Sequence, residues 1–217
     1  MKYKINKPIL EEEYLQPINL LRWRKTSEEE DILKEFLVQN EELSEEDFYK
    51  TDAANGKFVR CRFLHCNFEK ASFVDVIFDH CDLSNSSFSE AYFSRCEFRS
   101  CKCMGTDLHE TILKHVLITE CQFSYANMSG VFLEKAQMQQ SDFTEAAFVE
   151  SRYKSWTAIG CKFIRTNFFH TMLRGFDFSE NEMSDILVSD SMEEVQGCKI
   201  SAVQALEAAR LLKMKVM

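Results

Sequence analysis

The feature that most constrains this 217-residue chain is a period of five. Taking every fifth residue from Phe58 to Val188 gives 27 positions, of which 14 are Phe, 5 Leu and 3 Met; Ile118, Tyr153, Val188, Cys103 and Ala158 complete the column. Two residues before each stands a second column, from Gly56 to Ile186, mostly of small side chains such as Cys61, Ala71, Ser86 and Thr106. The intervening residues are mostly charged or polar. A period of five matches neither the α-helix (about 3.6) nor the flat strand (about 2). The chain must therefore turn a corner every five residues, with the large and the small residue pointing inward and the other three facing water. This accounts for the lopsided use of 19 Phe against 6 Tyr and 2 Trp.

Segments such as CRFLH, CNFEK, ASFVD, CDLSN, SSFSE, TDLHE and SDFTE resemble the pentapeptide-repeat family. The resemblance implies an all-β fold, a right-handed quadrilateral parallel β-helix with four pentapeptides per coil. It runs from residue 56 to 190 without a break. Twenty-seven pentapeptides then make nearly seven coils, which at an inter-strand spacing of ~4.8 Å stack to roughly 32 Å. Each coil buries its large residues against the next, so both ends need caps. The expected organisation is an N-terminal arm over residues 1–47, a β-helix over 48–195 and a C-terminal module over 196–217.

The repeat accounts for residues that would otherwise suggest chemistry. Seven of the nine cysteines (Cys61, Cys66, Cys81, Cys96, Cys101, Cys121, Cys161) take the small inward position, where a thiol packs as a small hydrophobe. A straight ladder of cysteines lacks the converging geometry of a zinc site. The five histidines fall at outward positions, no two of them at equivalent places on adjacent coils of one face. Gly105, Gly130, Gly160 and Gly175 fall at corners, so no glycine-rich phosphate loop is present. No catalytic residue, metal or cofactor is implied, and the chain reads as a non-enzyme. Trp156 takes a small position beside Ala158 at a large one, and Phe176 is bulky at a small position one coil later. Either volume is exchanged within the core, or Trp156 is pushed outward as a contact residue.

The ends carry helix signals. Ser27 with Glu30 makes a capping box before Ile32, Leu33, Phe36 and Leu37, which predicts a short amphipathic helix over about 27–40. Ser201 with Gln204 makes another before the Ala- and Leu-rich SAVQALEAARLLK, which predicts a helix over about 201–213. Val203, Leu206, Ala209, Leu211 and Leu212 give that helix apolar surface. It either caps the last coil or serves a dimer. The segment GCKISAVQALEAARLLKM is similar to the C-terminal segment of Qnr-type quinolone-resistance proteins, a resemblance that implies a homodimer formed through this helix.

Charge is uneven over the four faces. One face carries Glu69, Glu90, Asp107, Glu110, Glu150 and Asp190 against Lys70 alone; the next carries Arg95, Lys114, Lys135, Arg152, Lys154 and Arg174 against Asp75 and Glu134. On the basic face Tyr92, Ile112, Phe132 and Met172 line up at one outward position and call for a cover. Residues 1–50 hold 13 acids against 8 bases, so the arm is expected to dock on that stripe. A net charge of −9 argues against binding nucleic acid or an anionic membrane. With no apolar run long enough to span a bilayer and no signal-peptide pattern, the expected location is the cytoplasm.

The Qnr-type resemblance implies binding to the type II topoisomerases DNA gyrase and topoisomerase IV by imitation of duplex DNA, with the acidic face as the candidate mimic. Against this stands the reading that these acids only keep a β-helix solvated. The unbroken register leaves no place for the loops that interrupt the coil in the best-known members. The competing class is an interaction scaffold that uses the basic and apolar stripe to hold an unrelated partner.

Overall fold

The structure, a computed structural model, describes residues 3–19, 32–211 and 214. The chain winds as a right-handed quadrilateral parallel β-helix of about eight coils, followed by one helix, Ala205–Leu211. The register is twenty residues: Leu33 lies beside Ala53, Ala53 beside Phe73, Phe73 beside Phe93, Phe93 beside Leu113 and Leu113 beside Leu133. We call this the first face. The second passes through Val38, Phe58, Phe78 and Phe98, the third through Leu43 and Phe63, and the fourth through Phe48, Phe68 and Phe88.

Every fifth residue turns the corner in the left-handed region, from Glu35 (φ 51°) to Asp185 (φ 50°), with exceptions at Ser155 and Glu180. Most corner residues are not glycine, and each costs about 1–2 kcal/mol relative to the right-handed conformation. That cost is offset where the corner N–H finds a carbonyl nineteen residues on, as in Glu90 N–H to His109 O at 2.7 Å and Lys50 N–H to Glu69 O at 2.9 Å. The exception at Ser155 coincides with a slip in register, Glu134 pairing with Ser155.

The inward columns form one continuous core in which aromatic rings stack coil on coil. Phe48, Phe68 and Phe88 stack at 4.9 and 4.7 Å; Phe58, Phe78 and Phe98 at 5.2 and 4.9 Å. At the small position a hydroxyl or thiol donates to the carbonyl twenty-three residues earlier: Ser86 to Phe63 O, Thr106 to Leu83 O, and equally Cys81 to Phe58 O and Cys96 to Phe73 O. Cysteine thus substitutes for serine or threonine in one ladder. Burial pushes the Cys96 thiol up to about 12 and the Cys161 thiol up to about 11, so both stay protonated donors at neutral pH. Trp156 lies in the core, packed on Phe148 at 5.2 Å and Phe176 at 4.4 Å, with its indole N–H aimed at Met138 Sδ. The exchanged volume is interior repacking.

The expected helix over 27–40 is corrected across its described part, 32–40, where Leu33–Lys34 and Phe36–Gln39 are strands of the first coil. The β-helix begins near residue 33 and not at 48. Leu33, Val38, Leu43 and Phe48 continue the five-residue column, and stacking on a preformed coil outweighs the local helical pattern, which leaves Ile32 exposed at 45%. Residues 27–31 of that helix lie outside the described residues.

Residues 3–19 form a strap laid along the rod. Its far end tops up the first coil, Gln16–Pro17 pairing with Phe36–Leu37, and Gln16 N–H and Ile18 N–H donate to Glu35 O and Leu37 O. At the other end, residues 194–199 lie over 173–178, with Leu173 N–H donating to Glu194 O and Phe178 N–H to Lys199 O. The step has lengthened to twenty-two residues, Asp177 pairing with Lys199. Among the described residues no helix is long and apolar enough to cross a membrane.

Candidate functional site

The rod offers walls and ends. On the fourth face the acids are not equivalent. Glu69 and Glu90 share Lys70, each at 3.4 Å, and Glu90 first and Glu69 after it hold the Lys70 ammonium above its ordinary value. Asp107 folds back on its own wall, accepting from His109 N–H at 3.0 Å and from Asn127 Nδ2 at 2.9 Å. Glu110 and Glu150 stand 3.7 Å from His109 and His170, cations only when protonated, and keep 61% and 71% of their side-chain surface. Asp190 sits at the rim of the C-terminal groove. The acidic surface therefore resolves into an exposed edge where the fourth face turns into the first, on which Glu110 and Glu150 keep more side-chain surface than Glu69 and Glu90 at 37% and 44%.

Between those two carboxylates the edge column carries Gly130 at φ 69°, and the missing side chain leaves a notch. His109, Glu110, Ile112, Ser129, Phe132, Val149, Glu150 and Arg152 line it together with Gly130.

The strap does not dock where the charge count places it. Its described residues run along the second face and the corner shared with the first. Tyr3 OH donates to Ala136 O, Asn6 N–H to His115 Nδ1 at 3.0 Å and Ile9 N–H to Asp75 Oδ1 at 2.9 Å, while Glu12 pairs with Lys57. Ile112 and Met172 remain exposed at 41% and 49%, and Tyr92 and Phe132 are half-buried. Two anchors explain the shift by one face. Asp75 and His115 offer acceptors to the strap's backbone N–H groups, and Ile77, at an outward position, becomes buried there. Net charge could not reveal this, because apart from the Glu12–Lys57 pair the contacts are hydrogen bonds and apolar packing, which a charge count does not register. The basic face is also partly neutralised from within: Arg95 grips Asp75 through two bonds of 2.7 and 2.6 Å, and Lys114 and Lys154 both face Glu134 at 3.8 Å.

The C-terminal capping box is present as read from sequence. Gln204 Oε1 accepts from Ser201 N–H at 2.8 Å, and Ser201 Oγ accepts from Gln204 N–H at 3.3 Å. Gln204 Nε2 also donates to Phe178 O and Asn181 O, which pins the helix start to the last coil. Val203 and Leu206 are exposed at 79% and 51%, and Ala209 and Leu211 are half-buried; Leu212 lies outside the described residues. Beside the helix opens an apolar groove between Met183, Ile186, Met192, Val195, Ile200 and Leu211. Sequence reading missed it, since residues 191–200 carry no repeat phase. Among the described residues no group of three or more His, Cys, Asp or Glu is placed to hold a metal ion.

Residues 71–148 match a family described as pentapeptide repeat region, and residues 47–85 one described as pentapeptide repeats in eight copies. The full-length structure of QnrB1, a plasmid-mediated fluoroquinolone resistance protein, superposes with a TM-score of 0.57 at 25% identity, covering 90% of this chain and 94% of that one. HetL, a pentapeptide repeat protein involved in heterocyst differentiation regulation from the cyanobacterium Nostoc sp. strain PCC 7120, superposes with a TM-score of 0.52 at 16% identity, covering 85% of this chain and 93% of HetL, a likeness of fold alone. No curated protein matches the chain.

Proposed function

The chain is a pentapeptide-repeat protein of Qnr-like build, and we propose that it binds the type II topoisomerases DNA gyrase and topoisomerase IV without catalysing a reaction. The supporting observation is the likeness to QnrB1, which runs through 90% of this chain. The rod brings a straight edge on which Glu90, Glu110, Glu150 and Asp190 recur at whole-coil intervals. Carboxylates on a rigid rod suit a groove built for phosphates, and opposite charge steers the encounter. The homodimer belongs to the same reading: Val203 and Leu206 and the neighbouring apolar groove form a patch at one end that a second copy buries.

The experiment is a gyrase supercoiling assay with and without a fluoroquinolone. The expected result is inhibition of supercoiling, or relief of the drug's inhibition, that weakens in a Glu90→Gln, Glu110→Gln, Glu150→Gln variant. No effect of the wild-type protein on either would end the topoisomerase reading. Sedimentation of the wild type as a monomer at tens of micromolar, or a dimer unmoved by Leu206→Arg, would end the dimer reading. A second reading, an interaction scaffold with an unrelated partner, is favoured by one observation: the described strap leaves Ile112 and Met172 exposed, so the stripe stays open.

A further inference from the structure

We infer that the notch at Gly130 is a docking site for a short peptide segment of a protein partner, one that presents an arginine or lysine, then apolar side chains, then a carboxylate. The chemistry is set by what lies on either side. Along the edge column, at twenty-residue steps, stand Lys70, Glu90, Glu110, Gly130, Glu150, His170 and Asp190. Only position 130 lacks a side chain, and it falls between two open carboxylates, Glu110 and Glu150. A β-carbon there would lie 3.1 Å from Glu110 Cγ, so any other residue would begin to fill the gap. A left-handed corner does not itself demand glycine in this fold, since Lys135, Glu145 and Glu150 turn corners at φ 54°, 57° and 53°. The notch is therefore a feature of this position and not a backbone necessity.

Its floor is apolar. Ile112 is 41% exposed, and Val149 and Phe132 are half-buried, a small patch that water covers poorly. Its far wall is cationic: Arg152 lines the groove, and Lys154 Nζ sits 5.6 Å from the centre of the Phe132 ring. Carboxylates, an apolar strip and then cations make a charge sequence that duplex DNA does not complement, because phosphates would meet Glu110 and Glu150. A peptide with the reverse order does. Its cation lies between Glu110 and Glu150, where charge-assisted bonds are the strong ones, and its aliphatic neighbours cover Ile112 and Phe132. Its carboxylate meets Arg152.

This inference shares Glu110 and Glu150 with the topoisomerase reading and rests on it for the claim that a protein partner meets this edge. The test contains no topoisomerase, so the failure of one is distinguishable from the failure of the other. The full chain, labelled with nitrogen-15, is titrated with acetyl-Arg-Leu-Leu-Glu-amide. Saturable shifts are expected at the amides of residues 109–112, 129–132 and 149–152. Glu110→Gln with Glu150→Gln, or replacement of the peptide's arginine by citrulline, should weaken binding about tenfold, the scale of losing one charge-assisted hydrogen bond. Gly130→Lys should abolish it while leaving the remaining amide spectrum in place. Absence of saturable shifts at millimolar peptide overturns the proposal, as does binding that survives the double glutamine variant or the filled notch.

Discussion

Phe36 occupies the space that Gly56 leaves empty: a β-carbon built on Gly56 would overlap the Phe36 ring. The two hold the same inward position on consecutive coils, one bulky and one void, and the Phe36 ring packs tilted against Phe58, centre to centre 4.8 Å. Gly56→Ala should destabilise by about 1–3 kcal/mol through overpacking, and Phe36→Ala by about 3–5 kcal/mol through the cavity it leaves. In the double variant the alanine at 56 meets no ring, so its cost should fall below the sum of the singles by about 0.5–3 kcal/mol. Urea unfolding of the four proteins measures this. Additive effects would show that the pair is not coupled.

Glu194 caps the last coil from a buried position, its carboxylate accepting from His170 N–H at 2.9 Å, Ser189 N–H at 3.1 Å and Ser189 Oγ at 2.8 Å. Burial alone would raise its pKa, but these donors outweigh burial and hold it below the ordinary carboxylate range. A depressed folded pKa means that its stabilisation is present above the unfolded value of about 4.3 and is lost as pH falls through the folded value. Glu194→Ala should cost about 1–3 kcal/mol at pH 7 by stranding buried donors, and Glu194→Gln should flatten the stability profile below pH 4. An unchanged acid limb in Glu194→Gln would contradict this account.

His115 accepts the Asn6 N–H through Nδ1, a bond that only a neutral ring nitrogen can accept. Burial, then Lys135 and Lys114, push its pKa down. The docked strap therefore loses stability as pH falls from the value of the ring with the strap undocked toward the lower docked value. The protection factor of the Asn6 amide should drop between pH 7.5 and 5.5, and His115→Gln should remove that dependence, since a glutamine carbonyl accepts without titrating. Flat protection in the wild type would show that this bond does not hold the strap.

Cys103 stands at a large inward position, with Leu83 below and Phe123 above, and a small void opens among Leu83, Phe98, Cys103, Ile118 and Phe123. Cys103→Leu should fill it and raise stability by about 0.5–2 kcal/mol, or about 1–8 °C in melting temperature for a chain of this size. A lower melting temperature would mean that the void is too narrow to take the added carbons.

The middle of the fold was legible because one repeated contact decides it. From residue 56 to residue 168 the large residues pack on their equivalents twenty positions away, and local rules have little to add. The first coil was not legible for the opposite reason. Ile32, Leu33, Phe36 and Leu37 suit a helix, and the small column there reads Phe36, Glu41 and Glu46, so only Leu33, Val38, Leu43 and Phe48 carried the phase. The strap's position depends on backbone donors meeting Asp75 and His115, two corner residues whose sequence context is ordinary. The candidate surface was legible as charge but not as shape: Glu69, Glu90 and Asp107 are partnered within the wall, and the notch follows from the absence of one side chain.

Outside the slip at Ser155 and the lengthened last step, the twenty-residue register turns the outer surface into a ruler. Two wall residues in the same column are separated by a whole number of graduations, each ~4.8 Å, and the backbone hydrogen bonds between successive coils hold that separation. A partner gripping two marks thus measures length as well as charge, and removing one complete turn would move every later mark by a single notch of the scale without altering its chemistry.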